Sequence, residues 1–267
     1  MAKKRKMKKS AALTIGIIAF FVVYFISFSV FKNMDKPEDK TASKNEEQAE
    51  DTRPLIAQIK GKQKIYISDE SDSELSSIKI DEEYWKEIKY FFSEFSEIRT
   101  PENYSALYVG NSDDGLRFST DLDYFRVYSV NKEEYYKVPV GVKKEFENII
   151  KKSIYTSFDF VKQYKTYDKV TITSSTGDTK VIHKWKYDDL SYKMASKRMV
   201  GKVQPEKSKE RSKYNFAIDI KGKTYEVRLE TMGKDYVKIT SKGEVSYYEV
   251  HTGLFDYLKE EVFKIEE

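Results

Sequence analysis

The feature that most constrains this chain is an uncharged, mostly apolar run near its N-terminus, residues 11–31. A helix needs about 20 apolar residues to cross the hydrocarbon core of a bilayer, and this run has that length. Gly16 is its only strongly helix-weakening residue, and glycine is common in membrane helices. The run predicts a single transmembrane helix, so the rest of the chain has to fold outside the bilayer.

The charges beside this run predict its orientation. Residues 1–10 carry six Lys and Arg residues and no acid, whereas the residues after the run carry both signs. An excess of Lys and Arg marks the cytoplasmic flank. We therefore expect a basic cytoplasmic start at 1–10, a single pass through the cell membrane, and an extracellular C-terminal part.

The alternative is a cleaved signal peptide, which also begins basic and continues apolar. Its apolar core usually spans about 7–15 residues, which is shorter than this run. No Ala-x-Ala cleavage site follows, and Ser27-Phe28-Ser29 is the nearest substitute. A mature protein starting near Val30 would contradict the anchor. The sequence has no cysteine, which excludes a lipoprotein.

Composition separates a tether from a folded part. Residues 32–53 are rich in charges of both signs and poor in apolar residues, which predicts a disordered linker. The remainder carries most of the 21 Tyr and 16 Phe, too many aromatics for disorder. The net charge of +4 owes much to residues 1–10, so we expect no nucleic-acid partner. The Lys- and Tyr-rich, Cys-free composition resembles surface proteins of low-GC Gram-positive bacteria, and it identifies no family.

An internal duplication organises the folded part. Residues 135–138 (YYKV) recur as residues 247–250 (YYEV), and a glycine follows three residues after each block. Other matching blocks keep the same order: 103–110 with 213–222, 123–127 with 235–239, and the stripe Val142, Phe146, Ile150 with Leu254, Leu258, Val262. Self-similarity in a fixed order indicates repeated structural units. The sequence predicts two tandem extracytoplasmic modules, residues 54–165 and 166–267.

Hydrophobic periodicity gives each module the same expected elements. Each opens with an alternating strand, 64–67 or 169–172, followed by a helix, 81–98 or 188–200. Three hairpin-linked strands and a closing helix complete the order β-α-β-β-β-α. That order predicts an α+β fold with antiparallel sheets and helices packed on one face.

No motif predicts catalysis, a cofactor or a metal. A zinc site needs several Cys or His ligands, and the chain has two His and no Cys. Ser-x-x-Lys occurs at 76–79 and 129–132, but such spacings arise by chance in a chain this rich in Ser and Lys. The acidic stretch 69–74 lacks the Gly and distal Glu of a calcium loop, so we expect a solvated loop.

One stretch of the second module is strongly basic and has no counterpart in the first. Its charges are a candidate binding surface for phosphate-rich wall polymers or anionic lipid headgroups: Lys197, Arg198, Lys202, Lys207, Lys209, Arg211 and Lys213. A solvated loop is the simpler interpretation of this stretch. Tyr135 and Tyr136 point to opposite faces of a strand, so at least one belongs to the core.

The sequence therefore favours a membrane-anchored, non-catalytic protein of bacterial type. Its expected partners are the lipid bilayer, through residues 11–31, and an envelope protein, peptide or wall polymer. One alternative is a bitopic component of a conjugation- or secretion-type envelope machine. A cell-wall enzyme is a weaker alternative, and it would require a deep pocket holding several carboxylates or a Ser/Lys pair.

Overall fold

The computed structural model describes residues 52–194, 196–201 and 215–265. The basic start, the predicted transmembrane run 11–31 and nearly all of the linker lie outside these ranges. Within the ranges, no helix is both long and apolar enough to cross a membrane. The anchor and the linker therefore stay predictions.

The first half of the described chain builds a seven-stranded antiparallel sheet. Its strands are β1 (Ile65–Asp69), β2 (Ile78–Lys79), β3 (Ser96–Ile98), β4 (Tyr108–Ser112), β5 (Arg117–Thr120), β6 (Tyr124–Tyr128) and β7 (Glu133–Lys137). They lie in the order β2-β1-β4-β5-β6-β7-β3. The accompanying helices are α1 (Leu55–Lys60), α2 (Glu82–Phe91), α3 (Val140–Tyr155) and the single turn α4 (Phe158–Val161).

The second half builds another seven-stranded antiparallel sheet. Its strands are β8 (Lys169–Ser174), β9 (Thr179–Ile182), β10 (Ser196–Gly201), β11 (Phe216–Lys221), β12 (Glu226–Met232), β13 (Tyr236–Ser241) and β14 (Glu244–Val250). They lie in the order β10-β14-β13-β12-β11-β8-β9. The helices are α5 (Tyr187–Lys193) and α6 (Gly253–Asp256), which continues as a π-helical segment (Tyr257–Val262).

Apart from α1 and α4, which only the first half has, the two halves share the element order β-β-α-β-β-β-β-β-α, and both sheets have the same strand order from one edge to the other. They also repeat a backbone hydrogen bond where the last strand leaves the sheet. The Val138 N–H donates to the Asp123 carbonyl at 2.9 Å, and the Val250 N–H donates to the Asp235 carbonyl at 2.7 Å. The α+β class with antiparallel sheets is confirmed.

The expected element order β-α-β-β-β-α is wrong, because each half has three more strands. The predicted helices 81–98 and 188–200 are also too long. In each half the helix ends early and the chain returns to the sheet as an edge strand, β3 or β10. The helical spacing of apolar residues continues beyond α2, because Phe92 and Phe95 still pack into the core. Their ring centroids lie 5.0 and 5.8 Å from the centroid of the Phe125 ring.

A single hydrophobic core runs through both halves. Helix α3 connects them, because it packs against β1 of the first sheet and β14 of the second. Its Phe146 lies within 5.9 Å of Phe91 and 5.3 Å of Phe95, measured between ring centroids. Across the junction, Phe158 contacts the Tyr248 ring at 5.0 Å. The two halves therefore pack against each other through a shared core.

Part of the acidic stretch 69–74 belongs to this junction: Glu70, Ser71 and Ser73 are exposed, but the expectation of a solvated loop is wrong for Asp69 and Asp72, which are buried. Asp72 is only 6% exposed and accepts hydrogen bonds from Thr224 Oγ1 at 2.7 Å and Lys242 Nζ at 3.2 Å. Glu74 accepts the backbone N–H groups of Lys223 and Thr224 at 3.1 and 3.4 Å. The carboxylates thus hold two turns of the second sheet against the first half.

Candidate functional site

A cleft of about 550 Å³ opens beside the first turns of helix α2. Its walls come from the residues before β1, from β2, from one face of α2 and from α4. This volume lies within the usual range of ligand pockets, about 300–1,000 Å³. Five lysines line it, Lys64, Lys79, Lys86, Lys89 and Lys162, against three acids, Asp81, Glu82 and Asp159. The cleft therefore carries an excess of positive charge.

The lining of the cleft also contains buried apolar side chains. Ile80, Trp85 and Phe158 contribute to it although each is at most 3% exposed. The Trp85 indole is fixed because its Nε1–H donates to the Lys62 carbonyl at 2.7 Å. Lys89 Nζ lies 5.9 Å from the centre of the Trp85 ring. A ligand here would meet apolar surface as well as positive charge.

The lysines differ in how far their charge is already neutralised. Lys86 forms ion pairs with Glu82 at 3.3 Å and Glu83 at 3.0 Å on the exposed face of α2. In contrast, the ammonium groups of Lys64, Lys79 and Lys162 form no ion pair with any residue in the described ranges. Lys79 and Lys162 interact with the Asp81 charge without forming an ion pair, so their charge is only partly offset and all three groups can still meet an anion.

Two of the acids in the cleft are held by hydrogen bonds. The Asp81 carboxylate accepts the Tyr248 hydroxyl of β14 at 2.7 Å, and the Asp159 carboxylate accepts the Lys79 backbone N–H at 3.1 Å. Burial raises the pKa of Asp81, and the nearby Asp159 charge raises it further, although the Tyr248 hydrogen bond acts in the opposite direction. Asp81 therefore joins the cleft wall to the second sheet.

Removing the Tyr248 hydroxyl tests this connection. We expect Tyr248→Phe to lower the free energy of unfolding by about 1–2 kcal/mol, because it leaves a half-buried carboxylate without its donor. Urea unfolding followed by Trp85 fluorescence measures the change. The matched control is Tyr247→Phe on the opposite face of β14, and an equal loss in both variants would contradict this role.

The sequence-derived basic surface is only partly placed by the structure. Lys197 and Arg198 belong to strand β10, but their side chains are outside what the structure describes. The other members of that surface lie outside the described residues altogether: Lys202, Lys207, Lys209, Arg211 and Lys213. This surface therefore stays a prediction.

The candidate catalytic and metal-binding residues of the sequence do not come together in one site. Lys132 forms an ion pair with Glu134 at 2.7 Å, so its ammonium group is occupied near Ser129. Lys79 lines the cleft, whereas Ser76 is exposed and does not. Among the described residues, no group of three or more His, Asp or Glu side chains is arranged to hold a metal ion.

Sequence reasoning missed the cleft because its residues come from three separate stretches. The only local signal was Trp85 between acids and lysines on α2, a pattern that also fits an ordinary amphipathic helix. The arrangement suits binding of an anion over a partly apolar surface. No family model, curated protein or solved structure matches this chain.

Proposed function

We propose that this chain is a single-pass membrane protein whose extracytoplasmic part binds an anionic envelope partner in the basic cleft, without catalysing a reaction. The predicted anchor 11–31 and linker 32–53 would hold the tandem modules 54–165 and 166–267 at the outer face of the cell membrane. One observation carries the proposal. Lys64, Lys79 and Lys162 place ammonium groups without ion-pair partners in the described chain around a cleft lined by Trp85 and Phe158.

The chemistry of the cleft favours a phosphate-rich wall polymer as this partner. Lysine ammonium groups are compact charges that bind phosphate well. The carbon units between successive phosphates would lie on the apolar lining of Ile80, Trp85 and Phe158. A free inorganic anion would contact the lysines but not the apolar lining. Because the polymer would contact both, the apolar lining favours the polymer as the partner.

Charge reversal in the cleft tests the proposal. We expect Lys79→Glu combined with Lys162→Glu to weaken binding of a poly(glycerol phosphate) chain at least about tenfold, because tenfold corresponds to only about 1.4 kcal/mol. The matched control is Lys137→Glu with Lys144→Glu, which changes the net charge equally at exposed positions outside the cleft. Calorimetric titration of the full chain in detergent measures both affinities.

Two results would contradict the cleft as the site. If both double variants weaken binding equally, the polymer binds through the overall charge of the protein rather than in the cleft. If the cleft variant binds like the unmodified chain, Lys79 and Lys162 are not used and the cleft is not the site. Circular dichroism of each variant shows that the fold is retained.

A cell-wall hydrolase is the second candidate, because Asp81, Glu82 and Asp159 share the cleft and the pKa of Asp81 is raised by burial. A carboxyl group whose pKa is raised is a candidate general acid. Release of soluble fragments from purified cell walls, lost in Asp159→Asn, would support this candidate over binding alone. A component of a conjugation or secretion machine is the third, and neighbouring genes for an ATPase and a coupling protein would favour it.

A further inference from the structure

The outermost strands β2 and β9 take the same place in their sheets but differ in what covers them. Residues 157–161 cover β2. The Asp159 carboxylate accepts the Lys79 N–H at 3.1 Å, and Ser157 Oγ donates to the Lys79 carbonyl at 3.4 Å. Phe158 and Phe160 are each 1% exposed beside this contact. An acidic and aromatic segment therefore satisfies the backbone of this edge.

The equivalent edge of the second sheet is open in the part of the chain that the structure describes. Strand β9 pairs with β8 on one side, and no strand in the described ranges pairs with the other. An uncovered edge offers unpaired N–H and C=O groups to another chain. Val181 on β9 is 59% exposed and Trp185, three residues beyond the strand, is 73% exposed. Two exposed apolar side chains thus lie on this strand and shortly after it in the sequence.

The charges around this edge favour an acidic occupant. Lys180, Lys184 and Lys186 form no ion pair within the described ranges, and Lys186 Nζ lies 5.1 Å from the Trp185 ring centre. Residues 179–186 carry these three lysines and no acid, and the nearest acids along the chain, Asp178, Asp188 and Asp189, lie outside this stretch. Lysine on an edge strand also opposes pairing with a second copy of the same edge.

We propose that the β9 edge, residues 179–186, binds an acidic and aromatic peptide segment of a partner protein. The segment would cover β9 as residues 157–161 cover β2: a carboxylate accepts an edge N–H, and an aromatic side chain packs on Val181 and Trp185. Backbone bonding to a sheet edge is a common mode of peptide recognition. This site is separate from the cleft and does not depend on the function proposed for it.

The peptide with the sequence of residues 156–162, TSFDFVK, is the probe. Labelled with fluorescein, it should bind the full chain in detergent saturably, and its Asp→Asn version should bind at least about fivefold more weakly. Lys180→Glu and Trp185→Ala should each weaken binding at least about fivefold. Matched controls are Lys144→Glu and Tyr90→Ala, an exposed lysine and a 71% exposed tyrosine elsewhere.

Hydrogen exchange locates the bound peptide independently of the variants. Amide protection should rise across residues 179–186 when the peptide is saturating. Absence of saturation up to about 1 mM, a free energy near −4 kcal/mol, would overturn the proposal. So would protection that rises only at the cleft, or β9 protection that rises with protein concentration without peptide, which would indicate a second copy as the occupant.

Discussion

Replacing Phe146 with alanine should lower the free energy of unfolding by about 3–5 kcal/mol, the usual cost of removing a buried phenylalanine. The Phe146 side chain is fully buried on helix α3 and its ring meets those of Phe91, Phe95 and Phe125. Deleting the ring leaves a cavity surrounded by rigid aromatic groups, which limits relaxation. Denaturant unfolding followed by far-UV circular dichroism measures the loss.

The loss should affect both halves together. Helix α3 packs against β1 and β14, and a single core extends through both sheets. The variant should therefore unfold in one transition, with Trp85 fluorescence and hydrogen exchange of β12 and β13 reporting the same stability. A second transition, in which β12 and β13 stay protected after Trp85 has unfolded, would contradict the shared core. Val130→Ala, at a residue 99% exposed, is the control and should change stability by less than about 0.5 kcal/mol.

Hydrophobic periodicity could predict that Phe146 is buried, because a local pattern of apolar residues indicates which face of a helix or strand packs against the core. Phe146, Ile150, Leu254 and Leu258 are fully buried, as their helical spacing indicated. Strand β2 could not be predicted in this way, because a strand of two residues is too short to show an alternating pattern. Strand β10 was hidden for another reason: no Gly or Pro separates it from α5, and pairing with β14 decides its conformation.

The junction between the halves was not predictable from local sequence. Asp72 meets Thr224 and Lys242, which are 152 and 170 residues away along the chain. A cluster of carboxylates in a short loop usually remains solvated, because burying a charge is costly unless it finds partners. Only the folded arrangement supplies those partners. The cleft has the same origin, since Lys64, Lys79 and Lys162 converge from separate stretches.

Replacing Asp72 with asparagine should lower the free energy of unfolding at neutral pH by about 1–3 kcal/mol, the usual contribution of hydrogen bonds to a charged group. The Thr224 hydroxyl and the Glu74 N–H donate to Asp72 Oδ1 at 2.7 and 3.1 Å, and asparagine keeps an oxygen there, so these bonds are weakened by the loss of charge rather than removed. Lys242 Nζ, 3.2 Å from Oδ2, loses its acceptor, although its side chain is 33% exposed and solvent screens the pair. Asp113→Asn, in an exposed turn, is the matched control.

The loss in Asp72→Asn should depend on pH with a definite sign. Burial raises the pKa of Asp72, but the hydrogen bonds from Thr224, Lys242 and the Glu74 N–H outweigh it, so the pKa in the folded protein is lowered. A lowered pKa stabilises the fold above the unfolded value, about 3.9, and this stabilisation disappears as the pH falls through the folded value. The difference in stability between the unmodified protein and the Asp72→Asn variant should stay constant from about pH 6 to 8 and shrink below about pH 4. An equal difference in stability at pH 3 and pH 7 would show that the Asp72 side chain stabilises the fold by packing rather than by its charge.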